Sequence, residues 1–193
     1  MNVVIIQYNA GNIFSVQLAL QRLNLISLVS DEPEILQAAD KIIFPGVGEA
    51  SSAMKYLISR GLDQVITGLR QPVLGICLGL QLMCQFSEEN NTTGLGIFPA
   101  VVKKFPPRLK VPHMGWNTIT DLKGPLFTGI KENSFVYYVH SYYAVPDSFT
   151  VGMTDYIFPF SAALRRNNFY AVQFHPEKSG QTGDLILKNF LEL

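Results

Sequence analysis

Short apolar runs alternate with longer stretches of helical periodicity through the first ninety residues. Val3–Gln7, Leu25–Val29, Lys41–Pro45 and Val73–Ile76 read as strands, nearly continuous in apolar side chains and so predicted to be buried on both faces. Between them, apolar positions recur at helical spacing over Phe14–Leu23, over Asp31–Ala39 with Pro33 in its first turn, from the loop Gly46–Ser52 through about Arg60, and over Leu62–Leu69. A further helix is predicted over Leu78–Phe86. This alternation predicts an α/β fold: an open, mostly parallel sheet flanked by helices on both faces.

After Asn90 the texture changes. Stretches near Ala100–Phe105, Phe135–His140, Thr150–Thr154, Ser161–Arg165 and Tyr170–Phe174 read as strands between Pro- and Gly-bearing turns, and a last helix is predicted over about Asp184–Leu191. These strands suit antiparallel additions in the C-terminal half of one domain spanning residues 1–193.

Composition narrows the partners. The chain is 48% hydrophobic and 16% charged, with 15 Lys+Arg against 15 Asp+Glu, so no electrostatic bias draws it to nucleic acid or an anionic membrane. No apolar run is long enough to span a bilayer, and the chain enters a strand directly without a visible secretory signal, which points to the cytoplasm. His113, His140 and His175 share no metal-ligand spacing with one another or with the two cysteines, so neither metal nor cofactor is expected. On a shared helix, Cys77 and Cys84 would stand about 10 Å apart along its axis, too far for a disulfide. Cys84 is expected in the core, and His113 and His140 in structural roles.

The candidate chemistry centres on Cys77. In Gln71-Pro-Val-Leu-Gly-Ile-Cys-Leu-Gly-Leu-Gln81 an apolar strand meets Gly-x-Cys-x-Gly and then helix formers. This is the strand–turn–helix nucleophile elbow, with sulfur in place of the usual serine oxygen. Gly75 and Gly79 leave room for the sharp turn, and the helix start favours thiolate over thiol. Downstream, Asn168-Phe-Tyr-Ala-Val-Gln-Phe-His-Pro-Glu177 reads as a strand ending in His-x-Glu. Two apart in extended backbone, His175 and Glu177 point the same way, and Pro176 biases His175 toward that conformation. Such a pair suits a general base and the carboxylate that orients it. Attack on an acyl carbon also needs N–H donors for the oxyanion. The Leu78 amide is one natural donor, and Gly46-Val47-Gly48, after the neighbouring strand, would supply the other through Val47.

Pro45-Gly-Val-Gly48, Gly75-Ile-Cys-Leu-Gly-Leu-Gln81 and Gln173-Phe-His-Pro-Glu-Lys-Ser179, in that order, resemble the class I glutamine amidotransferases, which have a flavodoxin-like fold. Pro112-His-Met-Gly-Trp-Asn117 and Tyr137-Tyr-Val-His-Ser-Tyr142 narrow the resemblance to the glutaminase subunits of imidazole glycerol phosphate synthases, essentially end to end. The resemblance implies a triad of Cys77, His175 and Glu177. It also implies glutamine held by Gly48, Gln81, Glu89, Ser141 and Tyr142. Asn12, Met114, Trp116, Tyr137 and Lys178 would face a (β/α)8-barrel cyclase that receives the ammonia through a tunnel. The cyclase would use it to make imidazole glycerol phosphate and an aminoimidazole carboxamide ribonucleotide. The chain departs from the family pattern at Gln7-Tyr8-Asn9, at Ile157 and at Tyr170-Ala171. A subunit feeding another synthase, in sugar modification or pyridoxal phosphate synthesis, therefore stays open.

Overall fold

A computed structural model describes residues 1–9 and 12–193; Ala10 and Gly11, in the loop ahead of the first helix, lie outside the described residues. The N-terminal half runs β1 (Val3–Ile6), α1 (Ile13–Arg22), β2 (Leu28–Ser30), α2 (Pro33–Ala38), β3 (Lys41–Phe44), α3 (Ala50–Ser59), α4 (Leu62–Gly68), β4 (Val73–Ile76) and α5 (Leu78–Met83). Strands β5 (Cys84–Ser87), β6 (Thr92–Thr93), β7 (Phe98–Lys104), β8 (His113–Ile119), β9 (Ser134–His140) and β10 (Tyr142–Ala144) follow. The chain then forms β11 (Thr150–Tyr156), β12 (Phe158–Arg166), β13 (Phe169–Val172) and α6 (Gly180–Leu191).

Seven strands form the main sheet in the order β11-β12-β13-β4-β3-β1-β2. From β2 to β13 every neighbouring pair is parallel, and β12 and β11 close one edge antiparallel. The parallel core thus follows the doubly wound order of flavodoxin-like folds, with β13 as its fifth strand. Side chains alternate between the two faces, as pleating demands. Val4, Ile6, Ile42 and Phe44 join the core under α2, α3 and α5, while Val3, Ile5, Ile43 and Leu74 join the core under α1 and α6. Each side chain so buried stabilises the fold by about 1.5–3 kcal/mol. Among the described residues, no helix is long and apolar enough to cross a membrane.

Several boundaries differ from the sequence expectation. The second strand is Leu28–Ser30 rather than Leu25–Val29, and α6 begins at Gly180, one turn earlier than expected. The strand expected over Tyr170–Phe174 is Phe169–Val172 and does not continue extended through His175 to Glu177, because Pro176–Lys178 form a 3-10 turn. It pairs parallel with β4, in the register Val172↔Ile76, and antiparallel only with β12. Parallel pairing requires a long crossover, and here everything between α5 and β12 supplies it. The predicted helix Leu78–Phe86 stops at Met83, because Cys84 turns extended and opens β5. Strands β5 and β7 pair parallel inside a second, four-stranded sheet (β10-β7-β5-β6), so tertiary pairing overrides the helix propensity of Gln85 and Phe86. Cys84 therefore shares no helix with Cys77. It is fully buried with its Sγ 3.3 Å from the Leu80 carbonyl, and burial raises its thiol pKa far above the ordinary value. Strands β8 and β9 form a separate antiparallel hairpin.

Candidate active site

The carboxyl ends of β3, β4 and β13 lie side by side, where open α/β sheets place their ligands. Each ends in one of the motifs. Cys77, immediately after β4, has φ 52 and ψ −103 and is the N-cap of α5. A non-glycine residue in this region costs of order 1–3 kcal/mol, a strain characteristic of functional turns. Glycine is needed in the first turn of the helix: a Cβ at Gly79 would stand 2.0 Å from the Phe44 carbonyl oxygen. At Gly75 it would stand 2.8 Å from Met83 Sδ. Helix α5 thereby presses against β3 and holds the sulfur at the mouth of a cleft of about 320 Å³.

The segment after β13 brings His175, 1% exposed, to the same place. Its Nδ1 lies 2.8 Å from Glu177 Oε1. Its Nε2 is buried and has no hydrogen-bond partner, so it is the nitrogen free to exchange a proton. Burial opposes protonation of this ring, but negative charge on the Cys77 sulfur and the hydrogen bond to Glu177 outweigh it and raise the His175 pKa. The backbone fixes the ring from behind: His175 N–H donates to Tyr137 O at 2.9 Å, and Ser179 Oγ accepts from Tyr137 N–H at 2.9 Å.

Val47, Gly48, Cys77, Leu78, Gln81, Glu89, Ser141 and Tyr142 all line the cleft. His175 and Glu177 are not part of that lining. Glu89 is tied to the start of α3 by a 2.8 Å bond from Ala50 N–H, and burial raises its pKa. Glu49, which the sequence reading missed, caps α3 through Ser51 and Ser52, and with Asn90 these bonds hold its carboxyl down near 2. The Leu78 N–H, expected as an oxyanion donor, already donates to the Gly46 carbonyl at 3.3 Å. That donor is occupied in this conformation.

The family model described as Glutamine amidotransferase class-I matches residues 7–193. The chain belongs to this family. Over 196 residues it is 61% identical to a Bacteroides fragilis protein named imidazole glycerol phosphate synthase subunit HisH, with all of both chains covered. The protein of that name from Bacteroides thetaiotaomicron is 57% identical over the same full coverage. The one from Pasteurella multocida is 47% identical, with 99% of this chain and 98% of that one covered. Among solved structures, a glutamine amidotransferase superposes with a TM-score of 0.77 at 18% identity, covering 99% and 98% of the two chains. One from Thermotoga maritima gives 0.67 at 17%, covering 100% and 81%. At such identities these two structures speak to the fold alone.

The residues assigned to a partner face of this amidotransferase divide into two groups. Met114 and Trp116, 55% and 56% exposed, stand on the outer side of the β8–β9 hairpin. Trp116 packs edge-on against Tyr137 with ring centroids 5.9 Å apart, and Lys178 is exposed. Asn12, in contrast, is only partly exposed and turns inward to Glu177.

Proposed function

We propose that this chain is the glutaminase subunit of an imidazole glycerol phosphate synthase, one cytoplasmic domain over residues 1–193 that feeds ammonia to a (β/α)8-barrel cyclase. Full-length identity to the Bacteroides subunits supports the pathway. The observation that carries the chemistry is the adjacency of three strand ends: the Gly46 loop, Cys77 and the His175–Glu177 pair follow the neighbouring strands β3, β4 and β13.

In this reading the Cys77 thiolate attacks the carboxamide carbon of glutamine, forming a C–S bond and an oxyanion. Protonated His175 passes its Nε2 proton to the departing amide nitrogen, the C–N bond breaks, and ammonia leaves a thioester behind. His175 then takes a proton from water as its oxygen attacks the thioester. Collapse of that adduct returns glutamate and the thiolate. Glu177 holds the imidazole in its Nδ1–H form throughout. Gln81, Gly48, Glu89, Ser141 and Tyr142 hold the substrate, with the Glu89 carboxylate facing its α-ammonium.

The oxyanion must be met by the Leu78 and Val47 amides, and the first of these is occupied by Gly46 O. Turning the Gly46–Val47 peptide would free the Leu78 donor and swing the Val47 N–H inward in one motion. A single donor of this kind is worth about a hundredfold or more in rate. The free subunit is therefore slow, and the exposed apolar face carrying Met114, Trp116 and Tyr137 is where a cyclase would dock.

The test measures ammonia release from glutamine by the purified subunit alone, with the barrel cyclase, and with the cyclase plus its nucleotide. Stimulation of about a hundredfold is expected. Equal rates in all three would refute the gating. Stimulation by the partner of a different synthase, and none by the cyclase, would reassign the pathway.

A further inference from the structure

The side chain of Gln173 touches the nucleophile, yet the reaction described above leaves it without a task. Gln173 is fully buried just after β13. One end of its amide lies 3.6 Å from Cys77 Sγ, and the other lies 3.1 Å from the Gln81 amide. The two ends of an amide are alike in shape, so its direction must be argued from its partners.

The backbone supplies the fixed point. Tyr142 O can only accept, and Gln81 Nε2 lies 3.1 Å from it. His140 Nδ1 lies 2.7 Å from the same oxygen, so that ring carries its proton on Nδ1. Gln81 must therefore present its NH2 to Tyr142, and the second hydrogen of that NH2 points at Gln173. Gln173 answers with Oε1, which leaves Nε2–H facing sulfur. Reversing Gln173 alone would set NH2 against NH2. Reversing both amides would set Gln81 Oε1 against the Tyr142 carbonyl. Neither arrangement forms a hydrogen bond.

We propose that Gln173 donates a hydrogen bond to the Cys77 thiolate, and that the Tyr142 carbonyl, acting through Gln81, fixes the direction of that donor. Val139 O, 3.8 Å from the sulfur, offers the contrasting contact. It accepts from a thiol S–H and repels the sulfur once the proton has gone, whereas an N–H donor gains strength as charge develops. The titratable groups acting on the sulfur are His175 after β13 and Tyr8 after β1. The inference rests on Cys77 as nucleophile, and alkylation chemistry separates the two claims.

The experiment follows the rate of Cys77 alkylation by iodoacetamide between pH 6 and 10, beside the glutaminase kcat and KM in the cyclase complex. For the parent, alkylation that fails to abolish glutaminase activity would refute the nucleophile itself and not this donor. Gln173→Met keeps the bulk and loses the N–H. The pH midpoint of alkylation is expected to move up by about one unit, as for loss of a hydrogen bond to a charged group. The glutaminase kcat should fall with little change in KM. Gln173→Glu keeps the acceptor for Gln81 but turns a carboxylate toward sulfur. A purely structural role ranks it above Gln173→Met, whereas a donor role ranks it level or below. A parent-like alkylation profile in folded Gln173→Met overturns the proposal. In the parent itself, one 15N-coupled Nε2 proton of Gln173 should shift when Cys77 is replaced by Ala; an unmoved signal overturns it without any Gln173 variant.

Discussion

Asn12 Nδ2 donates to Glu177 Oε1 at 2.6 Å, the same carboxylate oxygen that meets His175 Nδ1 at 2.8 Å. Asn12 caps α1 with φ 80, a left-handed backbone that asparagine tolerates better than most residues. Glu177 Oε2 is buried without a partner, so Oε1 carries the whole orientation of the carboxylate. A residue at the start of α1 thus reaches across the molecule to hold the group that orients the imidazole.

We predict that Asn12→Ala lowers kcat of the cyclase-stimulated reaction about tenfold, the worth of a hydrogen bond to a charged group, with little change in KM for glutamine. Asn12→Asp should be worse, because it sets an acceptor against an acceptor. Cyclase affinity is measured alongside. A kcat loss that only tracks weakened docking would remove Asn12 from the triad's support.

The backbone strain at Cys77 has a measurable counterpart. Cys77→Ala and Cys77→Gly should both abolish glutamine hydrolysis while the fold and cyclase binding persist. Of the two, the glycine variant is expected to be more stable by about 1 kcal/mol, because only glycine sits at φ 52 without penalty. At a negative φ, glycine would be the less stable choice. Denaturant unfolding of the pair decides, and an alanine variant as stable as the glycine one would mean that the turn carries no strain.

His113 and His140 form a buried pair with ring nitrogens 2.9 Å apart. Burial lowers both pKa values, to about 4 for His113 and about 3 for His140. In the unfolded chain both would titrate near 6.5, so between pH 6.5 and about 4 the unfolded state binds the extra protons. Their contribution to stability is complete above 6.5 and is lost on acidification, at up to about 2.7 kcal/mol per pH unit for the two rings together. Imidazole 15N spectra should show both rings neutral at pH 5.5, with the proton on Nδ1. A protonated ring at that pH would end this account.

How much was legible beforehand depended on whether the signal was local. The continuous apolar runs of β1, β3 and β4 and the spacing of Gly75, Cys77 and Gly79 announce buried strands and a tight turn from neighbouring residues alone. His175 and Glu177 do meet, at 2.8 Å, but not as neighbours on one face of an extended strand. Strand β13 ends at Val172, and Glu177 reaches the ring from a single 3-10 turn over Pro176–Lys178, which the proline opens. Distant pairing was hidden. Nothing near Cys84 says that β7 will draw it out of a helix, and nothing near Tyr170 says that its strand will lie parallel to β4. Strand β8 escaped because His113-Met-Gly-Trp-Asn117 shows weak alternation, with Met114 and Trp116 on the exposed side. The early start of α6 rests on Gly183, where a Cβ would stand 1.9 Å from Pro176 O, a close approach visible only once the turn is built. The Leu78–Gly46 and Gln81–Gln173 bonds are likewise products of the folded arrangement, although Gln173 lay inside a motif already marked.

The pairing of β4 with β13 also says when activity can begin. A ribosome making this protein releases the sulfur early, and its imidazole only after the crossover and both antiparallel edge strands have emerged. Any chain cut short before Phe169 lacks both His175, the base of the proposed reaction, and the strand that leads to it. On the proposed mechanism, nascent chains that end before Phe169 therefore spare the cell's glutamine.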